Sequence, residues 1–173
     1  ASSSTNNAGA QAGILVTGKF HASNQLLAPY QAYISSISDY CNFVWQRGCP
    51  AAVAVAIHQT LGNEVSVLTN MIPALSRILD HAATSTTTNK ATCQQKLQKA
   101  PGSCTASSNS VAMKRFLCAF LVLLGVLARL QPLVLLLDCL QYADECSLDL
   151  LVMIVTNARC ENSGLLVIAT IDD

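Results

Sequence analysis

The 173-residue chain contains eight cysteines, and these are the residues whose type and spacing most directly suggest chemistry. None of their separations is the C-x2-C spacing of a zinc ribbon or of a thioredoxin-type redox pair. An even number of cysteines without metal spacing is typical of a secreted protein with a disulfide framework. We therefore expect a secreted, extracellular protein in which all eight thiols are oxidised, namely Cys41, Cys49, Cys93, Cys104, Cys118, Cys139, Cys146 and Cys160.

The pairing of these cysteines does not follow from their positions, because eight cysteines allow roughly a hundred connectivities. Short separations favour one set, in which the remaining two cysteines would form the last bridge. That set is Cys41 with Cys49, Cys93 with Cys104, Cys139 with Cys146, and Cys118 with Cys160. Other connectivities stay open.

Other reactive groups are few. The sequence has no G-x-S-x-G nucleophile elbow, no H-E-x-x-H zinc motif and no glycine-rich phosphate loop. Its three histidines, His21, His58 and His81, are far apart in the chain. The adjacent Asp144 and Glu145 form a possible acid pair, although such a cluster is more typical of a solvated turn. We expect no enzymatic activity, no cofactor and no metal site, since disulfides would use the thiols.

Composition limits the class of protein. Apolar residues make up 51% of the chain, charged residues only 12%, and the net charge is zero. Average soluble domains contain about 25% charged residues, so long-range repulsion between copies of this chain is weak. A globally disordered chain is excluded, and so is a large basic surface for nucleic acid.

Charge is unevenly distributed along the sequence. Residues 87–115 contain five basic and no acidic residues, whereas residues 116–173 contain two basic and seven acidic residues. We define a basic patch as Lys90, Lys96, Lys99, Lys114 and Arg115, and an acidic patch as Asp138, Asp144, Glu145 and Asp149. Such a pair of patches predicts head-to-tail association between copies. The alternative is that the two patches neutralise each other within one fold.

Helical periodicity dominates the middle of the chain. Apolar residues recur at helical spacing over 29–46, and Pro50 opens a second helix that ends at Gly62. A third helix follows, which Pro73 should kink or split. Ser147 is expected to begin the last helix. We interpret residues 1–12 as a polar leader left after processing, and 13–173 as a single helical domain with a polar surface excursion at 83–110.

The longest apolar segment, 116–137, allows two interpretations. Its 22 residues are enough to span a bilayer. However, Arg129 and Pro132 interrupt it, which favours a buried central helix that other helices surround. We therefore expect a core helix, with a membrane span as the less favoured alternative.

Two short apolar runs, 13–20 and 164–171, are rich in residues that favour strands. They could pair with each other as a short β-pair formed by the termini. The fold expected from the sequence is thus mostly α, a disulfide-stapled bundle of five or six helices around 116–137. Low charge and high aliphatic content favour a non-enzymatic, self-assembling structural protein of an extracellular fibre, coat, foam or filament. The alternative is a secreted carrier of a lipid or other apolar ligand.

Overall fold

A computed structural model describes residues 13–22, 29–48, 50–85, 106–157 and 164–172. Three strands and six α-helices lie in these ranges. The strands are β1 (Ile14–Lys19), β2 (Leu133–Asp138) and β3 (Leu165–Ala169). The helices are α1 (Gln31–Gln46), α2 (Pro50–Leu61), α3 (Val65–Met71), α4 (Pro73–Ser85), α5 (Ala106–Leu130) and α6 (Glu145–Thr156).

The strands form one parallel sheet in the order β1-β2-β3. The register aligns Ile14 with Leu133, and Leu133 with Leu165. Both terminal runs are therefore strands, but the prediction that they pair with each other is wrong. Each pairs with β2, a strand that the sequence interpretation had assigned to a helix.

The segment 116–137 divides at Pro132. Helix α5 ends at Leu130, and β2 begins at Leu133. Proline cannot continue a helix, because it lacks a backbone N–H and its ring clashes with the preceding turn. The continuous aliphatic run that follows is typical of a buried parallel strand, and periodicity alone does not distinguish such a run from a buried helix. The prediction of a single central helix over 116–137 is wrong.

Among the described helices, α5 contains a segment, Val111–Leu130, whose length and composition would allow it to cross a membrane. Its mean hydropathy is 2.1. In this structure 56% of that stretch is buried inside the protein. Phe120, Leu123 and Leu124 are completely buried, and α5 packs against α2 and α3. The membrane span proposed for 116–137 cannot be a single helix, because its last residues belong to β2.

Disulfides do not hold the described core together. Cys41, Cys118, Cys139 and Cys146 are all free thiols, so the expectation that all eight thiols are oxidised is wrong. The proposed bridges of Cys41 with Cys49, Cys139 with Cys146, and Cys118 with Cys160 are therefore wrong as well. Cys49, Cys93, Cys104 and Cys160 lie outside the described residues. The disulfide-stapled helical bundle is therefore replaced by an α/β fold that apolar packing stabilises, with a parallel sheet in place of a terminal β-pair.

Several local predictions are confirmed. The helix predicted over 29–46 is α1, α2 begins at Pro50, and Pro73 separates α3 from α4. Helix α1 buries Tyr33, Ile37 and Tyr40 at helical spacing. Two helix starts differ from expectation: α5 begins at Ala106, within the predicted polar excursion, and α6 begins two residues before Ser147.

Alternating residues give the sheet two different faces. We call the buried side the inner face; it includes Ile14, Val16, Leu133, Leu135 and Leu137. Helix α1 approaches β1 so closely there that a Cβ on Gly18 would lie 2.3 Å from the carbonyl oxygen of Ala32. We call the opposite side the outer face; it consists of Leu15, Thr17, Val134, Leu136, Leu166 and Ile168.

Candidate functional site

Polar side chains converge where the three parallel strands end. Lys19 is the last residue of β1 and Asp138 the last of β2, while Thr170 directly follows β3. Cys139 and Asp172 lie one and three residues beyond the ends of their strands. We call these five residues the carboxyl edge. Because the strands are parallel and in register, their carboxyl ends reach the same side of the sheet, which brings together residues from distant parts of the chain.

Asp138 occupies the centre of the carboxyl edge. Thr170 Oγ1 donates a hydrogen bond to Asp138 Oδ1 at 2.6 Å, and Lys19 Nζ lies 2.9 Å from Asp138 Oδ2. These two hydrogen bonds, first from Thr170 and then from Lys19, lower the pKa of Asp138 to about 2. The same contact with Asp138 raises the pKa of Lys19. Asp138 is therefore a carboxylate, and Lys19 an ammonium, at neutral pH.

A second carboxylate lies beside this pair. The thiol of Cys139 donates a hydrogen bond to Asp172 Oδ2 at 3.0 Å. That bond, together with burial, raises the pKa of Cys139, so the sulfur stays protonated at neutral pH. One potential ligand atom each from Asp138, Cys139 and Asp172 lies within 4.8 Å of the others. Two carboxylates, a thiol and a hydroxyl thus face a small common volume.

The backbone at Cys139 has an uncommon conformation. Its φ is +58°, in the left-handed region that non-glycine residues rarely adopt. Leu140 N donates to the carbonyl oxygen of Thr170 at 2.9 Å, which ties the turn after β2 to the end of β3. Backbone strain of this kind costs about 1–3 kcal/mol and concentrates at ligand-binding positions. The turn at Cys139 keeps the side chains of Asp138 and Cys139 beside Asp172.

The chemistry that this arrangement allows is binding of a hard cation or of an anion. Carboxylate and hydroxyl oxygens are the ligands that Mg²⁺, Mn²⁺ and Ca²⁺ prefer. An ammonium such as that of Lys19, which is 52% exposed, attracts phosphate as a point charge. In open parallel sheets, ligands bind beyond the carboxyl ends of the strands at a point where the strand order reverses. The described order β1-β2-β3 has no such reversal, so the case for a site here rests on its side chains.

No family model, curated protein or solved structure matches this chain. The function must therefore be argued from the chain's own geometry.

The structure describes two of the five members of the predicted basic patch. Lys90, Lys96 and Lys99 lie outside the described residues, whereas Lys114 and Arg115 are exposed on α5. Arg115 Nη2 lies 2.8 Å from Glu64 Oε1, a contact with the turn before α3. Part of this basic charge is thus neutralised within the fold.

The predicted acidic patch divides into two groups. Asp138 belongs to the carboxyl edge, whereas Asp144, Glu145 and Asp149 lie at the start of α6. Asp144 caps that helix, since its Oδ1 accepts a hydrogen bond from Ser147 N at 2.9 Å. Asp144 therefore has a structural role, and Glu145 and Asp149 are exposed.

Ser147 connects the start of α6 to α1. Its Oγ donates to Asp144 Oδ2 at 2.6 Å and accepts from Tyr30 N at 3.1 Å, while its carbonyl oxygen accepts from Tyr33 Oη at 3.0 Å. These bonds fix the position of α6, the helix that connects β2 to β3.

A surface cleft of about 420 Å³ lies between α2 and α5, away from the carboxyl edge. Leu61, Val111, Ala119 and Val122 form much of its apolar wall. The exposed thiol of Cys118 also lines it. The cleft is mostly apolar, and the carrier alternative stays a prediction.

Sequence reasoning did not find the carboxyl edge. The sequence predicted Asp138 as part of an acidic patch and Cys139 as part of a disulfide. Neither was grouped with Lys19, Thr170 or Asp172. The sequence does contain a signal, because it has three short aliphatic runs with polar residues at their ends. The first run ends in Lys19, the second ends in Asp138, and the third is followed by Thr170 and Asp172. Treating all three runs as parallel strands would have placed these residues at one edge.

Proposed function

We propose that the protein binds a divalent cation together with a small phosphate-bearing ligand at its carboxyl edge. The observation that supports this function is the convergence of Lys19, Asp138 and Asp172 at the ends of three parallel strands.

The donor set favours a hard cation over zinc. Asp138 and Asp172 each offer a carboxylate, and Thr170 offers a hydroxyl. Zinc at a cysteine requires the thiolate. The bond to Asp172 raises the pKa of Cys139 and therefore opposes formation of that thiolate. Magnesium or manganese needs only oxygen donors, which Asp138, Thr170 and Asp172 supply.

The small number of carboxylates favours a phosphate-bearing partner for the cation. Mg²⁺ is usually held by one or two carboxylates, water molecules and the phosphates of a ligand, and seldom by protein groups alone. A cation bound to Asp138 would compete with Lys19, whose ammonium lies 2.9 Å from that carboxylate. Lys19 would then be released to neutralise the phosphate that accompanies the cation.

The proposal concerns binding, and it assigns no reacting group. The expectations that the protein is secreted, has no enzymatic activity and forms an extracellular structure stay predictions from composition. The expectation that it has no metal site depended on disulfides using the thiols, and the free Cys139 removes that reason.

Calorimetric titration tests the proposal, first with Mn²⁺ alone and then with ATP in excess Mn²⁺ as a phosphate probe. We expect Asp138→Asn to weaken Mn²⁺ binding by about tenfold or more, equivalent to about 1.4 kcal/mol. Lys19→Met should strengthen binding of Mn²⁺ alone, because it removes the ammonium that competes for Asp138, but it should weaken ATP binding, because that ammonium no longer neutralises the phosphate.

Asp149→Asn is the matched control, since it removes an exposed carboxylate on α6 by the same substitution. It should bind Mn²⁺ and ATP as the wild type does. Equal Mn²⁺ affinity in Asp138→Asn and Asp149→Asn, both folded by circular dichroism, would overturn the proposal. So would a wild-type protein that binds neither probe.

A further inference from the structure

Two apolar surfaces of the described structure face solvent. One is the outer face of the sheet, and the other is the exposed side of α6. Parallel sheets are almost always covered on both faces, because their crossover helices pack against both sides. Here α1 and α5 pack on the inner face. The exposed aliphatic residues of the outer face are therefore unusual for a parallel sheet.

The outer face is aliphatic, and towards the carboxyl edge the same side of the sheet continues into the charged pair Lys19 and Asp138. Leu15 is 62% exposed, Leu166 55% and Ile168 42%, and Val134 and Leu136 lie between them on the central strand. Among its six residues Thr17 is polar and the other five are aliphatic. An exposed aliphatic surface of this kind marks an interaction site in a soluble protein.

The rest of this sequence is poorly suited to cover the outer face. Among the residues outside the described ranges, Leu26, Leu27 and Leu97 are the only large aliphatic or aromatic side chains. The remainder are mostly small or polar residues. Covering six outer-face positions requires a denser apolar surface, such as one side of an amphipathic helix.

Helix α6 has such a side. Leu148, Val152 and Val155 are spaced i, i+4 and i+7, and they are 41%, 59% and 59% exposed. We call them the α6 stripe. The buried residues Leu150 and Ile154 occupy the other side of the same helix, so the stripe points away from the core of its own molecule.

We propose that the α6 stripe of one copy packs on the outer face of a second copy. The dimensions agree: the stripe extends about 10 Å along α6 at 1.5 Å of rise per residue, and the three strands of the outer face, about 4.8 Å apart, are about 10 Å across. The contact would place a helix on the open side of a parallel sheet, the arrangement such sheets adopt within one chain.

This contact joins two different surfaces, so it is heterologous and generates a ring or a filament. Its area is small compared with the roughly 800 Å² per partner of standard interfaces, so we expect weak association at micromolar concentrations. Because apolar burial drives it, sulfate should strengthen it. Association through the basic and acidic patches would instead weaken as salt screens the charges.

Sedimentation velocity from low to high micromolar concentration tests the proposal. Wild-type protein should form species larger than a dimer as concentration rises. Leu166→Glu on the outer face and Val152→Glu on the α6 stripe should each be monomeric, and an equimolar mixture of the two should form only a 1:1 dimer. That mixture retains one intact stripe and one intact outer face. Val55→Glu, at a 47% exposed position on α2, is the control and should associate like the wild type.

The proposal is overturned if the wild type stays monomeric, if association survives either Leu166→Glu or Val152→Glu, or if the mixture forms no dimer. Thermal melts establish that each variant is folded. If Leu166→Glu does not fold, Leu15→Glu on β1 tests the same face, and Leu166→Gln tests it without adding charge.

Discussion

Lys19 Nζ lies 2.9 Å from Asp138 Oδ2, where two adjacent parallel strands end in register. The two residues come from opposite halves of the chain, and five helices separate them in sequence. Because β2 lies between β1 and β3, its last residue, Asp138, lies beside both Lys19 and Thr170. The central position of β2 thus organises both the core and the carboxyl edge.

The hydrogen bonds to Asp138 predict a specific pH dependence of stability. Its pKa is lowered to about 2 in the folded protein, against about 3.9 for an unperturbed aspartate. The carboxylate therefore stabilises the fold above about pH 4, and this contribution disappears as the pH falls towards 2. Melting temperatures of wild type and Asp138→Asn should differ by a constant amount above pH 5 and converge between about pH 4 and 2. A difference that stays constant down to pH 2 would contradict the assigned pairing.

Close packing of α1 on β1 predicts that Gly18→Ala destabilises the protein. The new Cβ would lie 2.3 Å from the carbonyl oxygen of Ala32, so the helix or the strand must move. Overpacking of this kind costs about 1–3 kcal/mol. Urea denaturation should detect it, with Thr17→Ala on the outer face of the same strand as the milder control. An unchanged unfolding midpoint for Gly18→Ala would mean that α1 does not lie against β1.

Free thiols predict a graded reaction with N-ethylmaleimide under native, non-reducing conditions. Cys118 and Cys146 are exposed and should be modified first. Cys41 should react slowly, because burial shields it and raises its pKa to about 12. Peptide mapping distinguishes the sites. Lack of modification at both Cys118 and Cys146, with labelling after reduction, would restore the disulfide interpretation for those residues.

The burial of Leu124 on α5 predicts that Leu124→Ala strongly destabilises the protein. Leu124 is completely buried, so truncation should lower the free energy of unfolding by about 2–5 kcal/mol. Val111 lies on the same helix and is 59% exposed, and Val111→Ala should change stability by less than about 0.5 kcal/mol. Similar unfolding midpoints for the two variants would contradict the placement of α5 in the core.

Sequence patterns predicted the local elements better than their arrangement. The amphipathic spacing of Tyr33, Ile37 and Tyr40 predicted α1, and Pro50 and Pro73 marked real helix boundaries. The strand pairing was missed because the aliphatic run after Pro132 fits a buried helix and a buried strand equally well. Once β2 was read as helix, β1 and β3 had no partner except each other.

The candidate site was missed for the same reason. The roles of Asp138, Cys139 and Asp172 become visible only when three strands are parallel, because the contacts among these residues join β2 to the residues that follow β3. The even cysteine count then favoured disulfides, although the thiol of Cys139 donates a hydrogen bond to Asp172.

Mn²⁺-induced broadening of amide NMR signals tests the central claim most directly, because it locates a bound cation without depending on activity. The account predicts that substoichiometric Mn²⁺ first broadens the signals of Asp138, Cys139 and Leu140 with those of residues 170–172, and that Asp138→Asn removes the effect. Broadening centred on Glu145 and Asp149 of α6, or broadening at residues 138–140 that persists in Asp138→Asn, would contradict it.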